Sequence, residues 1–254
     1  MRLIQIHRIY GMPYLFAWAH RISGIGLFLF LFAHIYTLSF LVEPVQFDSK
    51  MEWLDKVGLN YFEGLLVLPV IFHALNGGRL ILYETLGSRQ DKLLVTGVSG
   101  LTILYALLWF LRMILPDIYL ATLILDIALL ASLILAGALI VTVSKSKMSI
   151  YWKIQRISGA FLVIMIPLHL VFMHANPAAG HDSAVILSRI RSDMLIRIAD
   201  LLMVVSALYH GAYGLISIGK DYLNSETLIR YVSILIALGS ILFGWLGIKT
   251  MVMV

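Results

Sequence analysis

Seven runs of mainly apolar residues alternate with short polar stretches, near 18–42, 62–86, 94–114, 118–143, 154–175, 195–218 and 229–250. Each is long enough to cross a bilayer as a helix, which takes roughly 20 residues. The pattern predicts an all-α integral membrane protein of about seven transmembrane helices, with no linker long enough to separate a second domain. Composition agrees: 61% of the 254 residues are hydrophobic and 13% charged, with a mean hydropathy of +0.94. A soluble domain of this length does not tolerate so apolar a surface.

Lysine and arginine orient the spans. With the N-terminus inside, 12 of the 19 basic residues fall on the inner side, among them Arg21, Arg79, Arg156 and Lys220. The first outer loop, "VEPVQFDSKMEWLDKVGLN", is acidic, as expected, but the loop after span five carries Arg189, Arg191 and Arg197 against the trend. The opening, "MRLIQIHRIYGMPYLFAWAHR", has three arginines and no cleavage-type signal, and reads as mature protein. The net charge of +5 is what lipid-facing and cytoplasmic lysine and arginine would give, and no nucleic-acid partner is expected. There are no cysteines, which excludes disulfides and thiolate-held iron–sulfur clusters. Neither a Walker loop nor a G-x-G-x-x-G turn after a strand occurs.

One stretch is written twice. "HRISGIGLFLFLFAH" (20–34) and "QRISGAFLVIMIPLH" (155–169) share six of fifteen positions, and each ends in a histidine thirteen residues after its arginine. Spans one and five both start inside, so the copies are parallel. Spans two and six extend the repeat: "FHALNGGRLILYE" (72–84) and "YHGAYGLISIGKDY" (209–222) each place a histidine after an aromatic and a glycine four residues later. The unit is a helix pair with one histidine per helix.

Ionisable groups inside a membrane are costly and usually functional. One such histidine is ordinarily bonded to a backbone carbonyl; four in duplicated register exceed that reading. His34 and His169 lie about 20 Å beyond Arg21 and Arg156, at one level in the outer half. His73 lies about 9 Å from Arg79 and His210 about 16 Å from Asp221, at a level nearer the inside. Two levels with two imidazoles each match two stacked b-type haems, each iron taking one nitrogen from either face of its ring. The four helices would form a haem-binding bundle of two parallel-repeated helix pairs. A zinc or copper site would gather its histidines at one depth. His174, five residues beyond His169, is an alternative ligand; His7, His20 and His181 read as interfacial.

These residues resemble the membrane anchor, a cytochrome b, of succinate dehydrogenase and fumarate reductase. The C-type anchor begins its first helix with H-R-x-S/T-G, here His20-Arg21-Ile22-Ser23-Gly24. It carries a haem histidine followed by G-x-R, here His73 with Gly77-Gly78-Arg79. The D-type anchor has a haem histidine with glycine at plus four and Asp-Tyr at plus eleven and twelve, here His210, Gly214, Asp221 and Tyr222. The chain thus resembles a fusion: a C-type half at 1–115, a linking helix at 116–150 that restores the orientation, and a D-type half at 151–254. The better-known single-chain, two-haem anchors have five spans instead.

The resemblance implies two haem b and a quinone, menaquinone or ubiquinone, as cofactors. Its implied partners are the iron–sulfur and flavoprotein subunits of the complex. The expected place is the prokaryotic cytoplasmic membrane, where seven spans from an inner N-terminus would put the C-terminus outside. The dicarboxylate chemistry would belong to the partners. The family's inner quinone site uses a serine four residues before the first-helix arginine, that arginine and the Asp-Tyr pair. Arg21, Asp221 and Tyr222 are present, but the serine position is Ala17, leaving Tyr14, Trp18 or Ser23 as substitutes. On the outer side, Arg112, Arg189 and Arg191 are candidate partners for haem propionates. Glu63, about 15 Å outward of His73, is a candidate proton-exchange site. Two other readings remain: the anchor of another quinone-linked oxidoreductase, such as hydrogenase or formate dehydrogenase, and a proton-coupled transporter.

Overall fold

The computed structural model describes residues 2–86, 91–114, 119–170 and 180–254; within these helices the side chains of 2–10, 59–64, 85–86, 91, 112–114, 119–128, 131 and 135, Glu63 and Arg112 among them, fall outside the description. Among the described residues all regular structure is helical: α1 (Arg2–Leu38), a 3-10 turn (Ser39–Val42), α2 (Pro44–Lys56), α3 (Leu59–Leu86), α4 (Asp91–Ile114), α5 (Tyr119–Lys145), α6 (Ile150–His169), α7 (Ser183–Ser192), α8 (Met194–Tyr222) and α9 (Glu226–Met253). A helix bonds all its backbone groups within itself, which apolar surroundings demand. Pro13, Pro69 and Pro167 lie inside helices, and the break in α1 is at Gly11, whose φ of 74° is left-handed.

Five segments are long and apolar enough to cross a membrane: Gly11–Val42, Leu65–Glu84, Lys92–Leu111, Met194–Tyr222 and Glu226–Met253. They correspond to expected spans one, two, three, six and seven. Expected spans four and five coincide with α5 and α6, each of which adjoins residues outside the description. Large apolar side chains such as Leu29, Ile103, Leu235 and Ile241 stand exposed on these helices, as lipid contact would have them.

The chain divides into two compact units by packing rather than by chain order. Unit 1 joins Met1–Leu27 with Leu65–Val163. Phe16 of α1 packs with Val95 and Val98 of α4 and with Phe72 and Leu75 of α3. Asn76 Nδ2 donates to the Phe16 carbonyl at 3.4 Å, and Arg156 of α6 makes a bidentate ion pair with Glu84 of α3 at 2.6 and 2.8 Å.

Unit 2 joins Phe28–Gly64 with Ile164–Val254. α8 and α9 pack together, with Gly244 meeting Leu208 and Gly247 meeting Val204, while Gly239 of α9 meets Phe32 of α1. On α8, Gly211 lies against the Phe28 ring, where a methyl group would overlap it.

Two of the connections are more than the short polar links the sequence suggested. α2 and α7 are amphipathic helices that bury Phe47 and Met51 against Ile186, Leu187 and Ile190. Asp48 accepts from the Ser183 amide at 3.0 Å and its hydroxyl at 2.8 Å. His181 Nδ1 lies 3.5 Å from an Asp55 oxygen. The caps are visible in the sequence: Pro44 at the start of α2, and Asp182, whose carboxylate accepts from the Ala184 and Val185 amides.

Candidate functional site

In unit 1 the first repeat brings α1 and α3 together around His73. Its ring stacks on that of His20, centroids 3.9 Å apart and planes 9° from parallel. Ser23 Oγ donates to the His20 carbonyl at 3.0 Å. His73 Nδ1 lies 3.1 Å from that carbonyl and 3.2 Å from Ser23 Oγ. Both neighbours act as acceptors, so Nδ1 carries the proton and Nε2 is the basic nitrogen. A metal-ligating histidine is held in this way, donating its other N–H to a backbone carbonyl. Gly24 makes the approach feasible: a Cβ there would sit 2.9 Å from His73 Cε1. The residues around His73 therefore fit an iron-ligand role. His20, read from the sequence as interfacial, is part of this arrangement; its signal was its place beside Arg21 in the repeated motif.

Arg21, Ser23 and Trp18 lie on the same stretch of α1, each half-buried. Arg156, the repeat counterpart of Arg21, has its guanidinium committed to Glu84 and lies over the Trp152 ring at 5.1 Å.

In unit 2 the second pair is assembled. The rings of His34 and His169 have centroids 6.0 Å apart and planes 86° from parallel, and Phe30 lies 5.5 Å from His34. Two imidazoles bound to opposite faces of one iron need centres about 6 Å apart, given metal–nitrogen bonds of ~2 Å and ~1 Å more to each ring centre. This spacing also fits a haem. His174 lies outside the described residues. His210 is half-buried on α8 in unit 2, whereas His73 belongs to unit 1, so their pairing rests on the sequence. Asp221 and Tyr222 close α8 and are exposed, Tyr222 at 44%. Among the described residues no cluster of three or more histidine, aspartate or glutamate side chains would hold a metal ion, which a haem with two axial ligands does not require.

The basic segment 189–197 has partners of its own. Arg189 Nη2 lies 3.9 Å from Asp200; burial lowers the Arg189 pKa, and the Asp200 charge opposes that shift. Arg191 Nε donates to the Val254 carbonyl at 2.7 Å and Arg197 Nη2 to the Met251 carbonyl. Both cap the carbonyl end of α9, which cations favour.

A family model for the succinate dehydrogenase/fumarate reductase transmembrane subunit matches this chain in two stretches, residues 7–114 and 135–248. The chain is similar to the succinate dehydrogenase 2 membrane subunit SdhC of Mycobacterium tuberculosis, 34% identical over 98 residues that cover 37% of this chain and 72% of that protein. No solved structure matches.

Proposed function

The chain belongs to the succinate dehydrogenase/fumarate reductase transmembrane subunit family, membrane-spanning subunits of an enzymatic complex, and from that premise we propose that it is the dihaem cytochrome b anchor of a succinate:quinone oxidoreductase. In this reading it passes electrons between a menaquinone or ubiquinone and an iron–sulfur subunit, while a flavoprotein subunit carries the dicarboxylate chemistry. The anchor is a fused C-type and D-type pair, and the two stretches matched by one family support that duplication. It lies in a prokaryotic cytoplasmic membrane with its N-terminus inside.

Each haem, when bound, stores one electron on the path between quinone and iron–sulfur partner. His34 with His169 and His73 with His210 would hold the two haem irons through their imidazole nitrogens. Ser23 and the His20 carbonyl keep the Nδ1 proton of His73 in place, which would leave Nε2 as the nitrogen to hold a metal. At the inner face Arg21 and Tyr222 donate to the quinone oxygens, Asp221 exchanges the protons, and Ser23 and Trp18 complete the pocket left by Ala17. On the outer side Arg112, Arg189 and Arg191 serve the propionates of the outer haem, and Glu63 exchanges protons with a second quinone. Electrons crossing between the two levels couple turnover to the membrane potential, at about 2.3 kcal/mol per charge per 100 mV.

The 6.0 Å separation of the His34 and His169 rings carries this reading, because the repeat required those two side chains to share a level. A reduced-minus-oxidised optical spectrum tests it, with haem extracted and counted per chain. Two b-type haems per chain are expected. One haem would remove the two-level arrangement, and none would remove the cytochrome.

A further inference from the structure

We infer that Arg79 binds a propionate carboxylate of the haem ligated by His73; the inference rests on the reading of His73 as a haem ligand. Arg79 is 3% exposed. Its Nε donates to Asn76 Oδ1 at 2.8 Å, and Asn76, itself 0% exposed, is fixed by its Nδ2 bond to the Phe16 carbonyl. The guanidinium lies 5.8 Å from the Phe16 ring centre and 5.2 Å from that of Tyr83. Nη1 is buried and has no hydrogen-bond partner among the described residues. Nor does any carboxylate among them form an ion pair with this side chain.

A buried cation is costly unless an anion or several hydrogen bonds compensate it. Asn76 contributes one dipole and the two rings a quadrupole; neither brings net charge. The Asn76 bond occupies Nε, so it sets which end of the planar guanidinium is presented to a ligand. That end has the fork geometry that matches a carboxylate.

Depth identifies the carboxylate. Arg79 is six residues along α3 from His73, about 9 Å on the axis. That is the reach from a haem iron to the carboxylates on the edge of its ring. A lipid phosphate offers similar chemistry, but an arginine this buried is poorly placed for a headgroup. A cation fixed beside the propionate offsets the negative charge near the iron and so favours the reduced haem.

The test is a redox titration of the whole purified complex, followed at the b-type absorption band. Absence of that band from the unaltered complex would overturn the cytochrome reading itself, before Arg79 is in question. With two components present, His73→Ala identifies the inner one by its loss. Arg79→Gln should retain that component and shift its equilibrium about tenfold toward the oxidised form, ~59 mV for one electron, without moving the outer one. Arg79→Lys should restore most of the shift. Asn76→Asp keeps the guanidinium but gives it a protein carboxylate, and should lower the same component. Haem present at an unchanged inner potential in both Arg79→Gln and Asn76→Asp overturns the inference. Should Arg79→Gln fail to assemble, an unchanged potential in Asn76→Asp is decisive. If the Arg79→Gln shift disappears when the phospholipids are exchanged for a phosphate-free detergent or glycolipid, the anion is a lipid phosphate and the inference also fails.

Discussion

His34 and His169 face each other across 6.0 Å with their rings nearly perpendicular, whereas His20 and His73 stack at 3.9 Å. The first pair meets edge to face, at the centroid spacing that two ligands of one iron would have; the second is stacked face to face. His34→Ala and His169→Ala should therefore each remove the same one of two b-type components and leave the other. The double variant should be no worse than either single one. Extracted haem per chain should fall from two to one. An undiminished count after His169→Ala would make His174 the ligand.

Gly24→Ala should displace His73, because the added methyl would sit 2.9 Å from a ring that Ser23 and the His20 carbonyl hold in place. Overpacking of this kind costs about 1–3 kcal/mol. Loss or broadening of the inner haem band is the expected readout. Gly26→Ala is the control, since nothing lies within 4 Å of a Cβ at Gly26; its spectrum should be unchanged.

Arg21→Ala should lower quinone-linked turnover at least tenfold, about 1.4 kcal/mol of transition-state binding, with the haem content intact. Glu63→Gln should slow turnover only where quinone works at the outer face. Assays in proteoliposomes with and without a membrane potential separate the two sides, and turnover insensitive to the potential would remove the transmembrane path.

Asp48→Ala should loosen the outer cap, since the carboxylate holds both the amide and the hydroxyl of Ser183. The expected loss is about 1 kcal/mol at this part-buried position, read as a lower Tm and faster proteolysis within α2 and α7. Lys56 is a useful contrast. Its hydrogen bond and charge hold the Glu52 carboxyl below the usual range, so any stabilisation is present above the ordinary carboxylate pKa and lost as pH falls through the depressed one. The pair is fully open to solvent, and Lys56→Ala should leave the Tm unchanged.

The long helices were legible because a membrane span declares itself by length and hydropathy alone. α2 and α7 were not: at 13 and 10 residues they are too short to register as spans, and each shows only two or three apolar positions on one face. The repeat pointed to His34 and His169 because equal spacing from Arg21 and Arg156 fixes equal depth. It could not show that His20 lies on His73, since spacing along a helix does not say which face meets a neighbour. Nor could it show that Arg156 is held by Glu84 or that Arg191 reaches the Val254 carbonyl, because those partners lie 72 and 63 residues away. Charge counting placed Arg189, Arg191 and Arg197 on the outer side without revealing that two of them cap a helix.

The clasp between α2 and α7 bears on how this protein is best handled. A fluorescent fusion, epitope or protease site inserted within Pro44–Lys56 or Ser183–Ser192 would split a small folded cap, and a failed reporter there would say nothing about sidedness. Residues 147 and 148, exposed between α5 and the Ser149 cap of α6, carry no such burden. They are the place to insert a tag for mapping topology or immobilising the complex on an electrode.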